Sequence, residues 1–489
     1  MVEYYKNKLP VKWVGKATCF GLGLVSCLFS CKQQEKPNIL FIITDDQGSW
    51  TLSTQSHPNA YTPNLDKLAS EGAIMKNAFS QGAHSSPSRA ALISGRYASE
   101  TGVMTNVTPG SQIGVDTSLV LWPELFSRAG YKTAMVGKWH IGEMNDYHHP
   151  EQRGFQRFSG FLHGGEVSRD PVVRVEGRSI SFKGEYTSDV LTNLAMNYIQ
   201  EFKGNPWVIS LNYWAPHANT RFPEDYTPTA RGRSWLPLRD EDLEYWKDID
   251  LVLPEPGFPN LDIELLERKI REYNSSVHSV DRNVGRLMQM LKDLKLDKNT
   301  IVIFTSDHGY MMGHHGLWHK GNGIWLTLDG KDPSGKYTGN RPNLYDLSLR
   351  VPLIIRWPGR VKGGSVVEKT VRHLDLYPTL LEMAGIKKPD DLLLRGNSIV
   401  PLLKESEIVW DNTFFAQFLT LRCVQTAEWK YVYEFEDTTK NEFYNLTKDP
   451  GEHINLIHSP DSDLVNKREE LKGLLFTKLR EIRDPIINK

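Results

Sequence analysis

The chain has 489 residues, with 58 Lys and Arg against 59 Asp and Glu, for a formal net charge of −1. That near-balance excludes a chain-wide nucleic-acid footprint, which needs a strong basic excess, and an acidic solvating tail. Hydrophobic residues make up 39% and aromatics 10%, enough for large cores, while 38 Gly and 27 Pro exclude collagenous and low-complexity chains.

The N-terminus reads as an export signal. Lys6, Lys8, Lys12 and Lys16 make a basic start, and Ala17 to Ser30 is an apolar, small-residue run. That run is shorter than the roughly 20 residues of a membrane-spanning helix. It closes on Leu28-Phe29-Ser30-Cys31, which resembles a bacterial lipobox with Cys31 as the lipidated residue. The expectation is an exported protein of a Gram-negative bacterium, in the periplasm or held at the outer membrane by a lipid on Cys31. The alternative is ordinary cleavage near Ser30, giving a soluble periplasmic protein. Removing residues 1–30 takes away four Lys and one Glu, so the remainder is mildly acidic. Cys19 and Cys27 leave with the signal, and Cys423, alone in a mixed stretch, reads as structural.

After a short polar tether, Asn38 to Thr44 (NILFIIT) is a continuous apolar, β-branched run, the pattern of a strand buried on both faces. Similar runs follow at Thr133–Val136, Trp207–Leu211, Thr300–Thr305 and Val351–Ile355. Helical periodicity lies between them, longest from Glu264 to Leu294. Ala218–Asp262 and Asn322–Asn343 break the pattern and read as irregular insertions. Beyond about Pro401, Trp429–Phe435 and Glu442–Leu446 read as strands and Ser462–Arg483 as a helix. The expected fold is α/β, a large, mostly parallel sheet flanked by helices, with a smaller C-terminal α+β subdomain. The expected division is 1–31 for the signal, 32–400 for the α/β domain and 401–489 for the subdomain.

In open α/β sheets, ligands collect beyond the carboxyl ends of strands. Here the first strand ends in Asp45-Asp46, and the Thr300 strand ends in Asp307-His308. Three converging carboxylates repel unless a cation binds them, and oxygen-rich ligation with one His suits a hard ion, Ca²⁺ or Mg²⁺. The Thr133 run leads into Gly137-Lys138-Trp139-His140, and the Trp207 run into Ala215-Pro216-His217.

The most specific stretch is Ser85-Ser86-Pro87-Ser88-Arg89, followed by Ala90 to Ile93 and Ser94-Gly95-Arg96. It resembles the signature of the formylglycine-dependent sulfatases of the alkaline phosphatase superfamily, C/S-x-P-S-R, four residues, then [ST]-G-R. NILFIITDDQ, GYKTAMVGKWH, WAPH, SDHG, GLWHKG, LRVPLIIRWPG and LDLYPTLLEMAGI match that family's other landmarks in order.

The resemblance implies that Ser85 is oxidised to Cα-formylglycine, whose hydrate attacks sulfur with one hydroxyl and expels sulfate with the other. It implies metal ligation by Asp45, Asp46, Asp307, His308 and residue 85, with Ca²⁺ expected and Mg²⁺ as the alternative. Arg89 would hold the diol and the metal carboxylates, and Lys138 and Lys320 would bind sulfate. His140 would serve as the base of elimination, and His217 would protonate the leaving alcohol. Serine at position 85 resembles the bacterial serine-type members, matured before export by a radical iron–sulfur enzyme. The implied substrate is a sulfated oligosaccharide, with galactose or N-acetylgalactosamine sulfates of glycosaminoglycan, mucin or polysaccharide origin foremost. His148, His149, His163, Arg169, His314 and His315 are candidate substrate contacts. The competing functions are a phosphomonoesterase or phosphonate ester hydrolase of the same superfamily, and an unmodified, inactive sulfated-glycan binder.

Overall fold

The computed structural model describes residues 36–55, 57–221 and 233–488. The expected export signal and Cys31 lie outside the described residues. Eight strands come first: β1 (Asn38–Thr44), β2 (Ala73–Phe79), β3 (Lys132–Lys138), β4 (Arg157–Phe161), β5 (Val172–Val175), β6 (Arg178–Ser181), β7 (Trp207–Asn212) and β8 (Thr300–Ser306). A short hairpin, β9 (Leu317–Trp318) and β10 (Ile324–Trp325), precedes β11 (Leu353–Arg356) and β12 (Ser365–Arg372).

All but the hairpin form one sheet in the order β12-β2-β11-β8-β1-β7-β3-β4-β5-β6. The central run β8-β1-β7-β3-β4 is parallel throughout. The Val351 run, β11, is antiparallel to both its neighbours, and β5 also runs against the majority. The sheet is therefore mixed, with a parallel centre.

Strand β1 shows why a continuous apolar run was needed. Its side chains alternate faces. Ile39, Phe41 and Ile43 enter the core that holds Trp122, Phe126 and Tyr377. Leu40 and Ile42 enter the opposite core with Val280, Val284 and Leu287. Each such side chain contributes roughly 1.5–3 kcal/mol by leaving water, so a polar residue on either face is costly. The second core is closed by the helix Ile263–Asp293, which starts where the Asp262 carboxylate accepts the Leu265 N–H at 3.1 Å.

The expected irregular insertion at 218–262 contains a helix, Asp240–Lys247. Its Asp242 side chain accepts two hydrogen bonds of 3.0 Å from Arg282 of the long helix. At the C-terminal end, β13 (Phe414–Phe418), β14 (Leu421–Gln425), β15 (Trp429–Glu434) and β16 (Glu442–Asn445) form an antiparallel sheet, followed by the helix Ser462–Glu481. Its apolar face packs Phe415, Val424, Tyr431 and Phe443 with Leu471 and Leu475, and with Ala91, Tyr97 and Leu374 of the large unit. Cys423 is a buried free thiol. Among the described residues, no helix is long and apolar enough to cross a membrane.

Candidate active site

The site begins with strand register. β1 and β8 are parallel neighbours, and Thr44 is paired with Ser306. The next residues of both chains, Asp45-Asp46 and Asp307-His308, therefore emerge side by side. Adjacent side chains on an extended backbone would point apart. Asp46 avoids this with a left-handed backbone, φ 69°, a conformation costing about 1 kcal/mol or more and kept where the surroundings enforce it. Tyr273 of the long helix enforces it here: its hydroxyl donates to the Asp46 carbonyl at 2.6 Å and accepts the Gly48 N–H at 3.2 Å. Asp45, Asp46, Asp307 and His308 are fully buried, with ligating atoms all within 4.8 Å of one another.

Ser85 opens the helix Ser85–Ser94. Pro87 is tolerated in the first turn, and Ala90, Ala91 and Leu92 are strong helix formers. Gly95, at φ 67°, ends the helix in the left-handed conformation that glycine adopts without penalty. The helix N-terminus faces the acidic cluster, and its free N–H groups favour an anion. Ser85 Oγ lies 3.1 Å from Asp45 Oδ1, 3.3 Å from His308 Nε2 and 3.4 Å from Lys320 Nζ.

One turn on, Arg89 Nε donates to Asp307 Oδ2 at 2.9 Å and Nη1 to the Lys138 carbonyl at 3.0 Å. Lys138 pairs with Asp45, and Lys320, from the β9–β10 hairpin, pairs with Asp46. Three cationic side chains thus balance three carboxylates in a buried space.

The protonation states follow from burial and neighbours. Burial works to raise the Asp45 carboxyl, but Lys138, His217, Arg89 and Lys320 together hold it well below the usual range. Asp46 goes the other way: burial, with Asp45 and Asp307 beside it, raises it despite Lys320 and His308. Burial pushes the Lys138 ammonium down against the pull of Asp45.

His140, His217 and His308 are all lowered by burial, His217 to about 3. His217 Nδ1–H donates to the Ala218 carbonyl at 2.7 Å and turns Nε2 toward Asp46 Oδ2 at 3.8 Å. His140 Nε2–H donates to the Val107 carbonyl at 2.9 Å, leaving Nδ1 buried and without a partner.

These residues fit a divalent cation. His308 Nδ1–H donates to the Gly309 carbonyl at 2.9 Å. Its bare Nε2 therefore faces Asp46 Oδ1 at 3.3 Å and Asp307 Oδ1 at 3.6 Å, acceptor against acceptor. Asp46 Oδ2 is buried with no hydrogen bond at all. A cation answers both, and three carboxylates with one imidazole suit a hard ion.

A cavity of about 540 Å³ opens over this cluster. Ser85, Lys138, His140, His217 and Lys320 line it, so the residues expected from the motifs meet in one place. Of the expected substrate contacts, His163 lines the cavity. The others do not. His149 binds the Glu143 carbonyl at 2.7 Å, and the His148 carbonyl accepts the Trp139 indole N–H at 3.0 Å. Arg169 lies 3.7 Å from Asp170, and His314 and His315 gather around Glu255. His84, Asn106, Thr220, Arg221, Arg233 and Asn322 line the cavity without having been expected. His84 and Asn322 adjoin the signature and Lys320, the one hint the sequence offered. Arg221 is held by Glu166, two contacts of 2.8 and 2.9 Å from a distant loop.

Comparison with known proteins gives consistent matches. The sulfatase family model matches residues 37–386, and the model for the C-terminal region of N-sulphoglucosamine sulphohydrolase matches residues 339–481. The N-acetylglucosamine-6-O-sulfatase of Bacteroides thetaiotaomicron is 26% identical, over 95% of this chain and 90% of its own. The ulvan-active sulfatase of Formosa agariphila is 27% identical, over 94% and 86%. The solved structure of BT4656 with its substrate D-glucosamine-2-N,6-O-disulfate superposes with a TM-score of 0.72 at 25% identity, covering 92% of this chain and 99% of that one.

Proposed function

The chain belongs to the sulfatase family and is a sulfuric ester hydrolase, and from that premise we propose that it cleaves sulfate from an amino sugar or galactose of a sulfated glycan through a formylglycine at position 85. One observation carries the reading: Ser85 Oγ, at a buried helix N-terminus, lies within 3.4 Å of Asp45, His308 and Lys320 at the floor of the cavity. The relatives support the substrate class, since one is named for N-acetylglucosamine 6-sulfate and one solved relative binds a glucosamine disulfate.

Oxidation of the Ser85 CH₂OH to an aldehyde removes two hydrogens, taken up by a radical iron–sulfur maturating enzyme. The hydrated aldehyde supplies one hydroxyl to attack sulfur and a second whose deprotonation expels sulfate. A divalent cation, Ca²⁺ in preference to Mg²⁺, would be held by Asp45, Asp46, Asp307, His308 and residue 85, and supplies positive charge that offsets the developing sulfate charge.

The chain's own residues perform the rest. Lys138 and Lys320 hold the sulfuryl oxygens, and Arg89 fixes residue 85 against the carboxylates. His140 Nδ1, unpartnered, takes the proton that starts elimination. His217 faces the departing sugar oxygen through Nε2; beside the bound sulfate anion, which favours the imidazolium, it would take up a proton there and pass it to that oxygen. The hydrogen bonds on their other nitrogens hold each ring in orientation. We also propose export and lipidation at Cys31, supported by the basic start and apolar run before it.

The test uses protein co-produced with a serine-type maturating enzyme. Peptide mass spectrometry shows residue 85 lighter than serine by two hydrogens, and the protein releases sulfate from N-acetylglucosamine or N-acetylgalactosamine 6-sulfate. Prolonged chelation abolishes turnover and Ca²⁺ restores it. Sulfate release by the Ser85→Ala variant, or equal activity on aryl phosphate, overturns the reading.

A further inference from the structure

Away from the cavity, three chain segments bring a second set of ligand groups together. Glu255 comes from the insertion before the long helix, His315 from the turn between β8 and β9, and His453 from the loop after β16. Their ligating atoms all lie within 4.8 Å of one another. Glu255 Oε1 is 3.9 Å from His453 Nε2 and 3.7 Å from His314 Nδ1. It also accepts the His315 backbone N–H at 3.0 Å, so the loop that carries two of the histidines aims the carboxylate.

The arrangement is held in place. The buried His315 ring stacks on Tyr345 at 4.0 Å and on His453 at 4.8 Å. Glu255 and His315 both take left-handed backbones, φ 46° and 56°, conformations that cost about 1 kcal/mol or more each for non-glycine residues. Imidazole and carboxylate are ligating groups once the imidazole is neutral and the carboxylate ionised.

We propose that Glu255, His315 and His453, with His314 beside them, form a site for one divalent transition cation of the Zn²⁺ class, separate from the acidic cluster at Ser85. Imidazole-rich sets select zinc-like ions, whereas calcium takes oxygens. Zn–N and Zn–O bonds of about 2.0–2.2 Å place tetrahedral ligands roughly 3.4 Å apart, so the set closes by small rotations, with His453 exposed on the solvent side. The ion would tie the insertion, the β8–β9 turn and the C-terminal subdomain together. The proposal does not depend on the reaction at Ser85.

The test uses the full chain, stripped of metal and reloaded with excess Ca²⁺ to fill the acidic cluster. Zinc titration by calorimetry yields one equivalent, Co²⁺ in its place gives a tetrahedral visible absorption band, and zinc raises the melting temperature. His453→Ala and, independently, Glu255→Gln weaken zinc binding at least about tenfold and abolish the zinc-dependent rise. Asp307→Asn leaves both intact. Failure of the parent to bind zinc, zinc binding by both variants as tight as the parent's, or loss of zinc in Asp307→Asn alone overturns the proposal.

Discussion

His308 and Asp46 are each arranged at a cost that only a shared partner repays. One presents a bare imidazole nitrogen to two carboxylates, and the other spends backbone strain to turn its side chain inward. Lys320 completes this group, pairing with Asp46 and lying 3.4 Å from Ser85 Oγ. Lys320→Ala is expected to lower kcat about 100-fold or more in steady-state assays on a monosulfated sugar, with a smaller change in KM. His373 does not line the cavity and bears on stability instead. It is buried behind the site with Nε2 3.4 Å from Thr305 Oγ1, and burial lowers its imidazole to about 3. The fold keeps it neutral, while the unfolded chain takes up a proton below about pH 6.5. Its contribution is therefore complete above that pH and is lost as the pH falls toward 3, by up to roughly 1.4 kcal/mol per unit. Melting temperatures of His373→Gln between pH 7 and 4 should fall less steeply than those of the parent.

β1 and β8 deliver their end residues together because their register is fixed by side chains buried on both faces. The long helix adds the Tyr273 hydroxyl, which bridges the Asp46 carbonyl and the Gly48 N–H. Tyr273→Phe leaves two buried backbone groups unpaired, a loss of about 1–3 kcal/mol. It should lower both the unfolding free energy in denaturant and the affinity for Ca²⁺. The same burial explains what the sequence revealed. NILFIIT and TIVIFT were legible because a centre strand needs apolar residues at every position. β2 (AIMKNAF), β5 and β6 were not, since strands at or next to the ends of the sheet carry polar residues that interrupt the apolar run. The antiparallel sense of β11 was hidden too, because an apolar run carries no direction. The acidic cluster beside Ser85 was legible as motifs at strand ends. The cavity wall of Arg221, Arg233 and Asn106 was not, because only tertiary folding brings those loops over Ser85.

The C-terminal sheet and the large sheet are not separable by stability. Phe443, fully buried, shares its cluster with Ala91 on the Ser85 helix and with Leu374. Phe443→Ala should cost about 3–5 kcal/mol, read by denaturant unfolding, and should loosen the helix that positions residue 85, lowering kcat at temperatures well below the melting point. That helix is buried along its whole length, and Ser85 itself is 1% exposed. A maturating enzyme of the kind proposed above would have to take this serine into its own pocket before the helix docks. Once the helix has docked, the hydroxyl is open only to what the cavity of about 540 Å³ can admit, so a chain that folds before that encounter would keep its serine.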